Sequence, residues 1–304
     1  NFTYQRLLMH FIGEVLCFED IDKALRLYQE KIDERIFSQY VFSVTMLGNI
    51  TVQLIKNSYF DKAWIFLEKW FEIYKITDIE NVSIDDKYLL YHYMRLNTLV
   101  KEGKYEKGII DYESFIQKMD KTHNFYPWFC LEISNCFLGL LKYTKLSKWI
   151  NEGYDSYSYL PKDGEIYFKI LKQKSILEYE KGNVNLAIDL SKKALNGLEA
   201  IYGKNEDYFS VLVQLSIMTE SNEKKEMYWK EIVALSDEID SYQECLMYIN
   251  LASQNYNLFW EFTSNFEKLS YITSKAVELA DKLDDYHLKF LSRLNHLRVL
   301  VFRY

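Results

Sequence analysis

The sequence contains few residues that interrupt helices. Among its 304 residues there are only 2 prolines and 10 glycines. Glycine and proline mark the turns between short strands, so a chain this poor in them is not typical of a strand sandwich or barrel. The stretches between them are rich in Leu, Lys, Glu and Ile. This composition predicts an all-α fold.

The sequence also lacks long apolar runs and an excess of positive charge. No run of eighteen apolar residues is present, and the chain does not start with a signal peptide, so we expect a soluble, cytoplasmic protein. The net charge is −7 and the isoelectric point is about 5.4. Sequence-independent nucleic-acid binding needs a positive surface. We therefore expect no membrane contact and no direct nucleic-acid contact by this chain.

Residues with the spacing of catalytic or metal sites are missing. The four cysteines lack metal or disulfide-framework spacing, which predicts small buried side chains in a reducing cytoplasm. None of the five histidines lies four residues from another, as helical metal sites prefer. Gly-rich phosphate loops, G-x-S-x-G, H-E-x-x-H and C-x-x-C are absent. We expect no metal, no cofactor and no enzymatic activity.

The stretch Leu177–Ile201 has the clearest pattern of a helix pair. Gly182 stands where a first helix must end and the chain must reverse, because glycine adopts the left-handed backbone at little cost. After it, Val184, Ala187 and Ala194 recur at helical spacing on one face. This stretch resembles the second half of a tetratricopeptide repeat. The resemblance implies two antiparallel helices that pack closely at the small residues.

Similar patterns recur along the chain. Residues equivalent to Ala187 recur at intervals of 39 to 45 positions: Ala24, Ala63, Gly108, Lys148, Ala187, Met227 and Ile272. Lys148, Met227 and Ile272 are assigned partly by spacing. The period exceeds the 34 residues of the standard repeat and implies longer helices. We predict one repeat domain over residues 1–304, with helix pairs at about 2–35, 37–76, 86–120, 127–158, 164–202, 206–238 and 241–283, and a terminal helix at 286–304.

About seven such pairs must stack to bury their apolar faces, and stacked pairs wind into a right-handed superhelix with a concave groove. The first helix of each pair is expected to line that groove. In the terminal helix, leucines at every third position from Leu288 to Leu300 would cover the last apolar face. The alternative for this helix is dimerisation, which would make the protein a homodimer.

Polar side chains on the predicted first helices indicate a peptide-binding patch. Asparagine suits this task because its amide both donates to and accepts from a peptide backbone. Four-residue spacing places three residues of the third pair on one face. The patch comprises Tyr93, Asn97 and Lys101 in the third pair, Asn135 in the fourth, and Lys169, Lys172 and Tyr179 in the fifth. The alternative is that these side chains are solvated polar faces of ordinary helices.

The long period, the number of pairs and the acidic charge together resemble the ligand-sensing domain of the RRNPP family of bacterial regulators. That resemblance implies a cytoplasmic transcription regulator that binds a short signalling peptide, with a helix-turn-helix segment before the repeats. No such segment lies within the printed sequence. The alternative function is an unswitched scaffold that joins protein partners.

Overall fold

Helices account for all the regular secondary structure that can be described. The computed structural model describes residues 2–32, 41–57, 59–74, 86–140, 142–236, 244–245, 248–249, 252, 266–283 and 286–301. Across these ranges the chain forms helices and turns, without a strand. The predicted all-helical repeat class is therefore confirmed.

The helices belong to two compact units, residues 1–162 and 163–304. The first unit contains α1 (Phe2–Phe11, continued by a π-helical turn at Ile12–Leu16 and by Cys17–Glu19), α2 (Ile21–Lys31), α3 (Val41–Lys56), α4 (Phe60–Tyr74), α5 (Asp86–Lys101), α6 (Tyr105–Lys118), α7 (Tyr126–Gly139) and α8 (Tyr143–Ser156). The second contains α9 (Glu165–Glu180), α10 (Val184–Tyr202), α11 (Glu206–Met218), α12 (Asn222–Ser236), α13 (Phe266–Leu283) and α14 (Tyr286–Val301).

Consecutive helices pack against each other within each unit. The pairs α3–α4, α5–α6, α7–α8, α9–α10, α11–α12 and α13–α14 are all in contact. First helices of neighbouring pairs also touch, since α5 packs on α7 and α9 packs on α11. Most of the first half of the last predicted pair, 241–283, lies outside the described residues. The single domain over residues 1–304 stays a prediction.

The α9–α10 pair has the close packing that its small residues predict. Ala187 and Ala194 are both fully buried. Between the helices, Gly182 has φ +82°, in the left-handed region that favours glycine. Its N–H donates to the carbonyl of Tyr179 over 2.8 Å, and this bond closes the turn. The turn residue and the small residues thus have the roles expected of them.

A buried carboxylate, that of Glu178, stabilises the same turn through hydrogen bonds. Glu178 is buried, and its carboxylate accepts hydrogen bonds from Lys181 Nζ at 2.9 Å and from Asn183 Nδ2 at 2.8 Å. Lys174 Nζ lies 3.6 Å away. The bond from Lys181 and then that from Asn183 lower the pKa of Glu178 to about 2, from an ordinary 4.5. The carboxylate is therefore charged at any neutral or mildly acidic pH.

This lowered pKa makes the stability contribution of Glu178 dependent on pH. The contribution is fully present above pH 4.5 and is lost as the pH falls through the folded-state pKa. We expect Glu178→Gln to lower the free energy of unfolding at pH 6 by about 1–2 kcal/mol. The difference between variant and wild type should shrink at pH 3. Urea unfolding at both pH values measures it, and a difference that grows on acidification would contradict the assignment.

Two of the positions that we aligned with Ala187 do not occupy a buried site. Lys148 and Met227 are exposed, whereas Ala24, Ala63, Gly108 and Ile272 are buried. Of the three positions placed partly by spacing, Lys148 and Met227 are therefore wrong, whereas Ile272 is buried. In α8 the buried positions near Lys148 belong to large residues: Leu146, two positions before it, and Trp149, one position after it.

The leucines of the terminal helix do not form the single apolar face that their spacing of three residues predicted. Leu288 is buried, but Leu297 is 58% exposed and Leu300 is 38% exposed. A spacing of three residues rotates around a helix of 3.6 residues per turn, so these leucines cannot share one face. The buried positions instead follow steps of three and four: Leu288, Ser292, Asn295 and Val299.

The outer side of α14 carries large apolar side chains. Phe290 is 64% exposed and Val301 is 69% exposed. The contact of α14 with a second copy, and with it the homodimer, stays a prediction. None of the helices in the described ranges is long and apolar enough to cross a bilayer.

Candidate ligand-binding site

The predicted patch residues of the first unit lie on two packed first helices, α5 and α7. Pro127 stands in the first turn of α7, where the missing N–H costs no hydrogen bond. The rest of α7 is strongly apolar, with the sequence YPWFCLEISNCFLG, and Glu132 is its only charged residue. Because α7 contacts α5, α6 and α8, most of its surface is covered, and Glu132 is only 5% exposed.

Three predicted residues converge on the Glu132 carboxylate. Asn97 Nδ2 donates to Oε1 over 2.9 Å, and the Tyr93 hydroxyl donates to the same oxygen over 3.3 Å. Asn135 Nδ2 lies 3.4 Å from Oε2. We name these four residues, Tyr93, Asn97, Glu132 and Asn135, the polar cluster. It joins α5 to α7 through side chains that can also bind a peptide backbone.

Aromatic contacts fix the position of Tyr93. Its ring meets Trp128 edge to face, with centroids 5.1 Å apart, and Phe129 in the same manner at 6.2 Å. Such contacts are favourable beyond the area they bury. Tyr93 is 9% exposed, whereas Trp128, Asn97 and Asn135 are half-buried. The polar cluster therefore has a buried acid at its base and partly exposed side chains at its margin.

The hydrogen-bond donors that contact the Glu132 carboxylate are all neutral groups. Within the described ranges, no ion pair joins this carboxylate to a lysine, arginine or histidine. Burial and, to a smaller extent, the negative charge of Glu132 together raise the pKa of the neighbouring Cys136 thiol to about 12. The negative charge of Glu132 is thus not paired with a cation from the described residues.

Lys101 does not join the polar cluster. It is exposed at the last residue of α5, one turn beyond Asn97. The predicted four-residue spacing is correct as helix geometry, but the side chain lies at the solvent-facing end of the helix. Its part in ligand binding stays a prediction.

The predicted lysines of the second unit are held in a separate ion-pair network. Lys169 Nζ lies 3.1 Å from Asp207 Oδ2 and pairs with Glu165 as well, and Lys172 Nζ lies 3.6 Å from Asp207 Oδ1. Tyr202 donates to Glu165 over 2.6 Å. Burial alone would lower the pKa of Lys169, but the attraction of Asp207 and Glu165 outweighs it and raises that pKa. The network ties α9 to α10 and α11.

This network should contribute to stability. Asp207→Asn leaves two half-buried ammonium groups with less compensation, so we expect the free energy of unfolding to fall by about 1–2 kcal/mol, between the values typical of exposed and buried pairs. Asp189→Asn, on the exposed side of α10, is the matched control and should change it by less than about 0.5 kcal/mol. Urea unfolding compares the two. Equal effects would show that Asp207 has no special role.

Tyr179 belongs to neither group. Its side chain is half-buried near the end of α9, and its carbonyl accepts the N–H of Gly182 in the turn. The seven predicted residues therefore divide into three in the polar cluster, two in the Lys169–Asp207 network, and Lys101 and Tyr179 apart. Glu132 and Asp207 were missed by the sequence analysis. A single charge within the apolar sequence of α7 was the signal available for Glu132.

Metal ligation has no support in the described parts of the chain. They contain no group of three or more His, Cys, Asp or Glu side chains that could hold a metal ion. All four cysteines are buried, as predicted, and burial raises the pKa of Cys17 to about 11 and that of Cys130 to about 12. These thiols are protonated near neutral pH and are poor nucleophiles.

Fold and site together define an all-helical repeat protein with a buried polar cluster between two first helices. Comparison with known proteins extends this class no further, because neither the models of protein families nor the curated proteins contain a match to the sequence.

Proposed function

We propose that this chain is a non-enzymatic peptide-binding domain, the ligand-sensing part of a bacterial cytoplasmic transcription regulator. The observation that supports the proposal is the polar cluster, in which two asparagines and a tyrosine from adjacent first helices surround one carboxylate. Repeat proteins of stacked helix pairs bind extended segments along the surface of their first helices. The polar cluster joins two first helices, α5 and α7, which supports the proposal.

The polar cluster provides groups that match a peptide backbone. Glu132 accepts from the amide nitrogens of Asn97 and Asn135 and so holds both side chains in place. The amide oxygen of Asn97 accepts no hydrogen bond from another described residue, and it can accept from a peptide N–H. A site that is already ordered loses less entropy on binding.

A ligand that contacts both α5 and α7 would couple binding to the packing of neighbouring pairs. It shifts the population toward the arrangement that it binds more tightly, and only by the difference between its two affinities. We propose that this shift is the signal passed to a DNA-binding segment. The contact with DNA would then belong to that segment and not to this chain.

Thermal unfolding tests whether the chain binds peptides. We expect a subset of short hydrophobic peptides, drawn from the small secreted precursors of the host, to raise the melting temperature. A ligand at one hundred times its dissociation constant adds roughly 2.7 kcal/mol to the stability of a folded state that alone binds it. Asn97→Ala should reduce this shift strongly, because it removes a donor to Glu132 and an acceptor for the ligand.

The control for Asn97→Ala is Asn196→Ala, which removes an exposed amide from α10. It should leave the peptide-induced shift unchanged. If no peptide raises the melting temperature of the wild type, the sensor proposal fails. The alternative, an unswitched scaffold, then predicts a large protein partner that binds without changing the helix packing.

A further inference from the structure

We propose that the ligand carries a positively charged group, an ammonium or a guanidinium, which forms an ion pair with Glu132. This inference rests on the proposed function, because it names the chemistry that the peptide must present at the polar cluster. The group can be the amino terminus of the peptide or a Lys or Arg side chain. Both sources have the same chemistry, and the experiment below distinguishes them.

The argument begins with a comparison of the buried carboxylates. Among the described residues only two acidic side chains are buried, Glu132 at 5% exposure and Glu178 at 6%. Glu178 has the ammonium of Lys181 at 2.9 Å and that of Lys174 at 3.6 Å. The half-buried Asp111 and Asp207 are also paired with cations. Arg95 pairs with Asp111, and Lys169 pairs with Asp207. Glu132 differs from all of them, since its partners in the described parts of the chain are neutral.

Burial without a counter-charge is costly. A carboxylate removed from water loses several kcal/mol of solvation, which neutral hydrogen bonds offset only in part. A cationic donor adds a Coulomb attraction to the hydrogen bond, and this attraction is stronger in a buried site than in water. Two of the three donors to Glu132 are distant, at 3.3 and 3.4 Å. A cationic group that replaced one of them would therefore bind more strongly than the donor it displaced.

The margin of the polar cluster allows such an exchange. Asn135 is half-buried and its amide makes the longest contact with the carboxylate, 3.4 Å, so a ligand can displace it while Asn97 keeps its 2.9 Å bond. The half-buried Trp128 beside Tyr93 adds an aromatic surface, and cations are attracted to the faces of such rings. A neutral ligand would gain neither the ion pair nor this attraction.

The test uses three synthetic pools of random hexapeptide amides with the 304-residue chain. The first pool has free amino termini and no Lys, Arg or His; the second is the same pool N-acetylated; the third is N-acetylated with one Lys or Arg per peptide. We expect the first or the third pool to raise the melting temperature and the second to leave it unchanged. A shift with the first identifies the amino terminus, and a shift with the third identifies a side chain.

Variants locate the ion pair. Glu132→Gln keeps the shape of the side chain and removes its charge, so the affinity for cationic members of the active pool should fall at least tenfold. Glu106→Gln is the matched control, because it removes an exposed carboxylate from α6, and it should leave the affinity unchanged. If Glu132→Gln does not fold, the comparison of pools on the wild type decides the question alone.

The remaining outcomes separate the two proposals. An equal shift by all three pools would leave the peptide-binding function in place and overturn the cationic ligand. A preference for cationic pools that Glu132→Gln does not alter would also overturn it, since the charge would be recognised elsewhere. If none of the pools binds, both the inference and the proposed function fail.

Discussion

Replacing Trp70 with alanine is expected to lower the free energy of unfolding by about 3–5 kcal/mol, the largest effect of any single change considered. Trp70 lies on α4 and is fully buried. Its ring packs edge to face on Tyr91 of α5, with centroids 5.9 Å apart, and it faces Gly48 on α3, where an added Cβ would lie 3.5 Å from the ring. Truncation would leave a cavity between three helices that the neighbouring backbone cannot fill.

Two companion variants define the cause of this loss. Ile65→Ala removes a side chain that is 51% exposed on the same helix, so it should cost less than about 1 kcal/mol. Trp70→Phe retains most of the ring volume and removes a buried indole N–H that has no acceptor among the described residues, so it should cost less than half as much as alanine. Urea unfolding measures all three. Similar losses for Ile65→Ala and Trp70→Ala would contradict this account.

Gly13→Ala is expected to lower the free energy of unfolding by about 2–3 kcal/mol through overpacking. Gly13 lies in the π-helical turn of α1, and a Cβ added there would stand 2.7 Å from the Cα of Met46 on α3. A backbone atom cannot move aside as the end of a side chain can. The separation of the helices would also strain the hydrogen bond from Asn49 Nδ2 to the Gly13 carbonyl, which measures 2.9 Å.

A second buried glycine, Gly48 on the α3 side that faces α4, provides the control. At Gly48, an added Cβ would lie 3.5 Å from the Trp70 ring, which is ordinary contact. Because alanine is a better helix former than glycine, Gly48→Ala should be neutral or should stabilise the protein by up to about 1 kcal/mol. Chemical denaturation of both variants tests the pair. A loss at Gly48 equal to that at Gly13 would show that the spacing of α1 and α3 is not the cause.

The fold class could be predicted because local rules and packing agree. Gly182 had to end α9, and Ala187 and Ala194 had to lie on the buried face of α10, since small residues at helical spacing have few other uses. Where sequence signals were weak, spacing was a poor guide. Lys148 and Met227 fitted the period but are exposed, because their helices bury larger residues at other positions.

The candidate site could be predicted only in part. Helical spacing placed Tyr93 and Asn97 on one face, and the comparable position of Asn135 placed it on the neighbouring helix. Helical spacing could not show that these three residues share Glu132 as a partner, because that contact depends on how α5 packs on α7. For two lysines the sequence pattern was misleading. Lys169 and Lys172 looked available for a ligand, but Asp207 from a later helix pairs with both.

Hydrogen exchange tests the central claim most directly, which is that the polar cluster on α5 and α7 binds the ligand. A peptide that raises the melting temperature is added, and amide exchange is compared with the free protein. We predict slower exchange in α5 and α7, with little change in α9 and α11 around the Lys169–Asp207 network. Protection confined to α9 and α11, or to α14, would place the ligand elsewhere and contradict the account.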